Sequence, residues 1–391
     1  MKLLPYTRAT ERQYASFLRL PEVAQKLLLA SLCRVNHFRI DRLKTPIILT
    51  FFVTNRCNAR CKHCFYWQDL QANNASELTL GEIKKIIASL KHRLSTVLLT
   101  GGEPFLRQDL ASICRAFYDL NQTKKINIPT NGLEPQLIDQ TAQKITRCKG
   151  LFLNVVVSLD GLGKNHDLIR GVPGAFEKVI TTVRRLKKLE KQRPNFKVGI
   201  QTVVSSRNYK EIGQLAHFVQ SEFNITPGFQ FIRGSHSGVY SLNPAVSADF
   251  NPPDKSFRLP SPERLRQVNR LINTQIQTGQ NQLLARIDQV KRGYLLQIMK
   301  QKKRLFPCLA GKIDGVIYPS GEVALCEYTT SFANLKNFAF DFERLWNSPE
   351  ANQRRAQTTH CACTHPCNVV NSMRYDLKTL LKLASPDEKN R

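Results

Sequence analysis

Cys57-Asn58-Ala59-Arg60-Cys61-Lys62-His63-Cys64 is the stretch on which the reading of this chain turns. It follows Ile47–Val53, a short apolar run that predicts a buried strand. Three thiols this close together can hold one metal ion or one cluster. A closed zinc site takes four ligands, usually as two separated pairs, and a fourth here would have to be His63 or a distant residue. Three cysteines on a four-iron cluster instead leave one iron without a protein ligand. That open position can take a substrate or cofactor.

Working outward, further apolar runs predict strands at Thr96–Thr100, Ile126–Pro129, Phe152–Ser158, Val198–Val204 and Phe229–Ile232. Helical patterns separate them. Thr79-Leu80-Gly81-Glu82 reads as a capping box opening a helix with Ile83, Ile86, Ile87 and Leu90 on its apolar face. A second helix carries Leu110, Ile113 and Phe117, and a third runs near Ala175–Leu189. Strands alternating with helices predict right-handed βαβ units and a parallel sheet. The fold class expected is α/β, a partial (β/α)6 TIM-like barrel, with its chemistry on loops at the carboxyl ends of the strands.

The expected organisation has five parts. Residues 1–45 form a basic helical lead-in, read as packed on the next domain in preference to lying on a membrane surface. Residues 46–233 form the barrel. Residues 234–305 hold an insertion loop and basic helices, 306–376 a cysteine-bearing module, and 377–391 a polar tail.

Composition bounds the function. The chain has 391 residues, with 42% hydrophobic and 23% charged, enough for a packed core. No apolar run approaches the roughly 18 residues of a spanning helix. The N-terminus, MKLLPYTRATERQ, does not read as a signal peptide, so a cytoplasmic protein is expected, with peripheral contact to an anionic membrane kept open. An excess of 58 Lys and Arg over 30 Asp and Glu gives a net charge of +28, which attracts phosphates, nucleic acid or anionic lipid without choosing among them. The eleven cysteines of a reduced compartment point to metal rather than disulfides. Cys33, Cys114 and Cys148 stand alone and read as small buried hydrophobes.

The cysteine spacing at the end of a first barrel strand, followed by the aromatic Phe65, resembles the radical S-adenosylmethionine (radical SAM) superfamily. The resemblance continues in Gly101-Gly102-Glu103-Pro104, after the second strand, which looks like the family's GGE motif for the methionyl group of SAM. Asn131 after the third strand, Ser158 and Asp160 after the fourth, and Arg170 beyond it fall where relatives contact SAM. The resemblance implies a [4Fe–4S] cluster on Cys57, Cys61 and Cys64, and SAM bound by Phe65, Gly101, Gly102, Glu103, Pro104, Asn131, Ser158, Asp160 and Arg170. It also implies an electron donor such as flavodoxin or ferredoxin, and reductive cleavage of SAM to a 5′-deoxyadenosyl radical that abstracts hydrogen from a substrate or adds to it.

At the other end, Cys308 precedes a hairpin around Pro319-Ser320-Gly321 that delivers Cys326. Cys361, Cys363 and Cys367 follow. This resembles the SPASM or twitch module that holds auxiliary iron–sulfur clusters. Full SPASM modules carry more cysteines and two clusters, so the five here imply one auxiliary [4Fe–4S] cluster. Cys308, Cys326, Cys363 and Cys367 are placed slightly ahead of Cys361 as its ligands. The ending also resembles radical SAM enzymes of lipid metabolism. The substrate stays open among a lipid or isoprenoid, a small phosphorylated metabolite and a peptide. Two other classes compete: a non-catalytic iron–sulfur or zinc protein that binds nucleic acid through its basic surface, and a scaffold with a degenerate barrel.

Overall fold

The computed structural model describes residues 16–17, 19–71, 76–233, 238–248, 252–276, 282–358 and 360–384. Six strands carry the first half: β1 Ile48–Thr54, β2 Thr96–Gly101, β3 Lys125–Thr130, β4 Phe152–Ser158, β5 Phe196–Val204 and β6 Gly228–Phe231. They pair in chain order and all in parallel, as the alternation with helices requires. All six predicted strands are present, with ends shifted by a residue or two.

Side chains alternate across this sheet. One face (Leu49, Phe51, Val53, Val97, Leu99, Ile126, Ile128, Val155, Val157) is sealed in a single apolar cluster. The helices Leu80–Ala88, Leu110–Asn121, Pro135–Thr146, Ala175–Gln192 and Ile212–Phe223 supply the other half of that cluster. The opposite face is half-buried along β2, β3, β4, β5 and β6, with Lys197 exposed, and in β1 at Ile48 and Thr50, while Phe52 and Thr54 at the end of β1 are buried. The sheet is therefore a partial barrel with an open lumen. Thr79 caps its helix as the sequence predicts, its side chain and that of Glu82 satisfying each other's backbone N–H groups.

The remaining strands are β7 Val239–Tyr240, β8 Asp314–Ile317, β9 Glu322–Ala324, β10 Ala333–Asn334 and β11 Ala362–Cys363. The C-terminal hairpin does not stand apart as a module. β8 pairs in parallel with β1, from Ile48↔Asp314 to Phe51↔Ile317, and β9 and β10 extend the same sheet to nine strands. Without β8, β1 would leave an unpaired edge beside the cysteine loop. Ile317, Val323, Leu325 and Trp346 join the main apolar cluster, so the core runs through both parts. β7 pairs with β11, which ties the 234–305 insertion to the cysteine segment. The basic helices expected there are Pro262–Ile276 and Gln282–Gln301.

The tail corrects the expectation of a polar segment at 377–391. Leu377–Ala384 is a helix, burying Thr379, Leu383 and Ala384. It packs on the N-terminal helix Glu22–Ile40, whose Leu29, Cys33 and Ile40 are buried. Leu377, Leu380 and Leu381 recur at helical spacing, so the signal was present in the sequence. Residues 385–391 of that expected tail lie outside the described residues.

Candidate active site

The loop carrying Cys57, Cys61 and Cys64 leaves β1 at a register shift between Phe52 and Thr54. Three contacts fix its path. Glu77 accepts hydrogen bonds from the Thr54 hydroxyl at 2.5 Å and the Asn55 N–H at 2.9 Å. Gly102 N–H donates to Thr54 O at 2.8 Å, and Glu103 N–H to Arg56 O at 2.8 Å. Arg60 and Lys62 N–H groups donate to the carbonyls of Arg170 and Ile169 at 3.0 and 2.9 Å.

The two glycines earn their place through the second contact. A Cβ at Gly101 would lie 2.3 Å from Thr54 O, and φ there is +132°. A Cβ at Gly102 would lie 2.2 Å from Arg56 O. The side-chain-free backbone is needed first for the close approach of the cysteine loop.

Glu103 is fully buried. Its carboxylate accepts from Phe105 N–H (3.2 Å), the Thr130 hydroxyl (2.9 Å) and Asn131 N–H (2.7 Å). Burial nonetheless pushes its pKa up to about 7, against those donors. The Asn131 side chain donates to Asn58 Oδ1 at 2.8 Å and lies 3.9 Å from Cys57 Sγ, binding the third strand end to the cysteine loop.

Asp160 is completely buried behind this wall. It pairs with Arg170 Nη2 at 2.6 Å, lies 3.6 Å from His63 Nε2 and accepts Val203 N–H at 2.8 Å. Burial works against its charge, but Arg170, then His63 and His166, hold the carboxyl below its usual range. Arg170 also places Nη1 3.6 Å from Cys61 Sγ.

A cavity of about 180 Å³ opens in front of these residues. Cys57, Cys61, Cys64, Phe65, Gly101, Gly102, Glu103, Asn131, Ser158 and Arg170 all border it, as does Arg233, whose guanidinium lies 4.6 Å from the Phe65 ring centre. Of the expected SAM contacts, Pro104 and Asp160 do not reach the wall. Pro104 opens a buried turn, and Asp160 acts on the cavity through Arg170.

Burial raises Cys57 to about 11 and Cys64 to about 12, with the neighbouring cysteines adding to it. Among the described residues no three His, Cys, Asp or Glu side chains converge as for a single metal ion. The three thiols instead border a shared space with room for a larger group. Cysteine-only donors around such a space fit an iron–sulfur cluster, and its charge would supply what the buried thiols need to deprotonate.

The C-terminal cysteines form a second group. Cys308, Cys326 and Cys363 lie close enough to disfavour one another's charge, and Cys361 hydrogen-bonds the Cys363 thiol. Cys308 is pushed up to about 12, chiefly by burial. Cys367 is deep in the molecule, yet its surface is open to a second cavity of about 290 Å³. The Cys-x-Cys pair thus sits together, on the side of Cys361.

Glu327, next to Cys326, bridges Arg233 at 2.7 Å and His365 at 2.7 Å. Burial opposes its charge, but Arg233 and then His365 hold it down at about 2. Sequence reasoning missed Glu327 and Glu77, which sit in no recognisable pattern. It also missed the lumen residues Thr50, Thr96, Asn127 and Gln230, which line the larger cavity beside Gln201, with Gln230 on both cavities. Amides at alternate positions of otherwise apolar strands were the available sign.

A family profile described as Radical SAM superfamily matches residues 51–219, from mid-β1 to the helix before β6. Residues 51–219 belong to the radical SAM superfamily. The chain is 29% identical over 185 residues to a pre-heme d1 synthase of Dinoroseobacter shibae, covering 47% of this chain and 43% of that one. It is 33% identical over 211 residues to a GTP 3′,8-cyclase of Synechocystis, covering 52% and 58%. The chain thus spans about half the length of these relatives. The fold match is wider: SuiB of Streptococcus suis, solved with its precursor peptide SuiA, aligns with 84% of this chain and 70% of its own at a TM-score of 0.55 and 19% identity. That likeness is one of fold, and it takes in more of the chain than the radical SAM domain alone.

Proposed function

We propose that the chain is a radical SAM enzyme whose [4Fe–4S] cluster is held by Cys57, Cys61 and Cys64 and whose SAM lies in the adjoining cavity. The observation that carries this is the single wall on which three thiols, Gly101-Gly102-Glu103, Asn131, Ser158 and Arg170 meet. When bound, cluster and SAM would together supply reductive cleavage of SAM to methionine and a 5′-deoxyadenosyl radical, given one electron from a donor such as flavodoxin or ferredoxin.

The chain's own residues prepare that site. Glu103 fixes the Thr130–Asn131 turn. Arg170, pinned by Asp160, sets a positive charge beside Cys61. An auxiliary cluster is best supported on Cys308, Cys326, Cys361 and Cys363, because these thiols feel one another directly, whereas the charges acting on Cys367 are those of Arg233, Glu327, Lys291 and Asp314.

The larger cavity is the proposed substrate chamber. Its strand residues are the hydrogen-bonding groups Thr50, Thr96, Asn127, Gln201 and Gln230 and the buried carboxyl of Asp314, beside apolar walls (Leu98, Phe229, Val316). The Lys and Arg residues bordering the two cavities are already paired: Lys291 with Asp288, Arg233 with Glu327, Arg170 with Asp160. The chamber therefore suits an amide- or hydroxyl-bearing part of a substrate better than a phosphate.

The test is 5′-deoxyadenosine release by anaerobically reconstituted protein given SAM and dithionite, beside Cys61→Ala. Product from the wild type alone supports the reading. A cluster-loaded wild type that makes none, and whose reduced EPR signal does not change on adding SAM, would sink it.

A further inference from the structure

The N-terminal helix Glu22–Ile40 is apolar on two faces. One is buried against Leu377–Ala384, with His37 Nε2 3.0 Å and Cys33 Sγ 3.5 Å from Tyr375 O. The other is bare. Ten large apolar side chains are exposed among the described residues, and six of them (Leu20, Val23, Leu27, Leu28, Val35 and Phe38) lie on or just before this one helix. Leu20, Leu27, Leu28, Val35 and Phe38 recur at helical spacing on the side opposite Leu29, Cys33 and Ile40. Val23 is 69% exposed and Leu27 65%, and it is their clustering on one helix, not exposure alone, that separates them from scattered surface leucines such as Leu168.

Charge decides what covers the face. Arg19, Lys26, Arg34, Arg39 and Arg42 surround it, and Arg42 lies over the Phe38 ring at 3.3 Å from its centre. The nearby acids are Glu22, paired with Lys26, and Asp41, paired with Lys312. A second copy of the helix would bring like-charged rims together. An acidic surface that is apolar beneath would not.

We propose that this face seats on an anionic bilayer surface, with its leucines and Phe38 at headgroup depth and its arginines among the lipid phosphates. The seating is independent of the radical chemistry. It uses the exposed face only, so the buried face stays on the C-terminal helix. No helix among the described residues is long and apolar enough to cross a membrane, so the contact is one of lying on the surface.

The experiment is co-sedimentation of the full chain with sucrose-loaded vesicles, either pure phosphatidylcholine or containing about one-third phosphatidylglycerol. Binding to the anionic vesicles only is expected, with a loss of about tenfold or more in Leu27→Glu/Phe38→Glu and a similar loss in Arg34→Glu/Arg39→Glu. Both pairs are exposed, so thermal melts should match the wild type, and a variant that fails to fold is replaced by Leu27→Gln/Phe38→Gln. Three results overturn the proposal: no wild-type binding to anionic vesicles; equal binding by the Leu27/Phe38 variant, which would place the contact on another basic surface; or a wild-type dimer that the same variant converts to monomer.

Discussion

Replacing Gly102 with alanine would set a methyl group 2.2 Å from the Arg56 carbonyl oxygen and 3.0 Å from Cys57 Cβ. The cysteine loop would have to move. Gly102→Ala should therefore keep its far-UV circular dichroism and lose most of the iron bound at Cys57, Cys61 and Cys64. A variant that loads iron normally would show that the loop has slack. Buried imidazoles make a second residue-scale prediction. His166 is fully buried, and its pKa is lowered from 6.5 to about 4, chiefly by burial and then by the Arg170 charge. Burial does the same to His63. Between those values the native state binds fewer protons than the unfolded one, so stability is present above about 6.5 and lost as pH falls toward 4. Each histidine accounts for up to roughly 3 kcal/mol of that loss. Glu103, raised to about 7, titrates with the opposite sign over this range, so the check is a difference: in denaturant melts of metal-free protein, His166→Gln should lose less stability than the wild type as pH falls from about 6.5 toward 4. An unchanged slope would mean that His166 already charges in the native state.

At the scale of elements, the capping box is the simplest handle. Thr79→Ala removes the acceptor for Glu82 N–H and leaves that end of Leu80–Ala88 uncapped, which should cost about 1 kcal/mol in a denaturant melt. A cost near zero would mean that packing of Ile83, Ile86 and Ile87 alone holds the helix. This helix was readable because its signals are local: cap, capping glutamate and apolar face all lie within a few residues. The six strands and their order were readable for the same reason, and the motif residues at their ends followed. What could not be read was pairing across distance. Nothing near Asp314–Ile317 says that it joins β1 rather than a sheet of its own, because strand partners are chosen by tertiary contact. Asp160 looked like a ligand contact from its place after β4, and only its partners show that it works through Arg170. The hydrogen bond between the Cys361 and Cys363 thiols was likewise invisible, since it depends on how β11 turns them.

For the whole molecule, the shared sheet means that the two cysteine groups rest on one core. Removing residues 306–391 would bare the β1 edge and withdraw Trp346, which stacks on Phe342 at 5.3 Å within the main cluster. Such a truncation should aggregate, and a monomeric fragment with a cooperative melt would show instead that the barrel folds alone. The same pairing has a consequence during synthesis. β1 is complete at Thr54, but its partner strand ends at Ile317. At about 5–20 residues per second the ribosome needs on the order of 10–50 s to bridge that interval. Throughout it, the strand that leads into the first cysteine loop has at most one neighbour instead of two. A nascent chain in this state offers its thiols and a sticky edge at the same time. Delivery of iron and sulfide, and protection by chaperones, would therefore compete for the same half-minute of the protein's life.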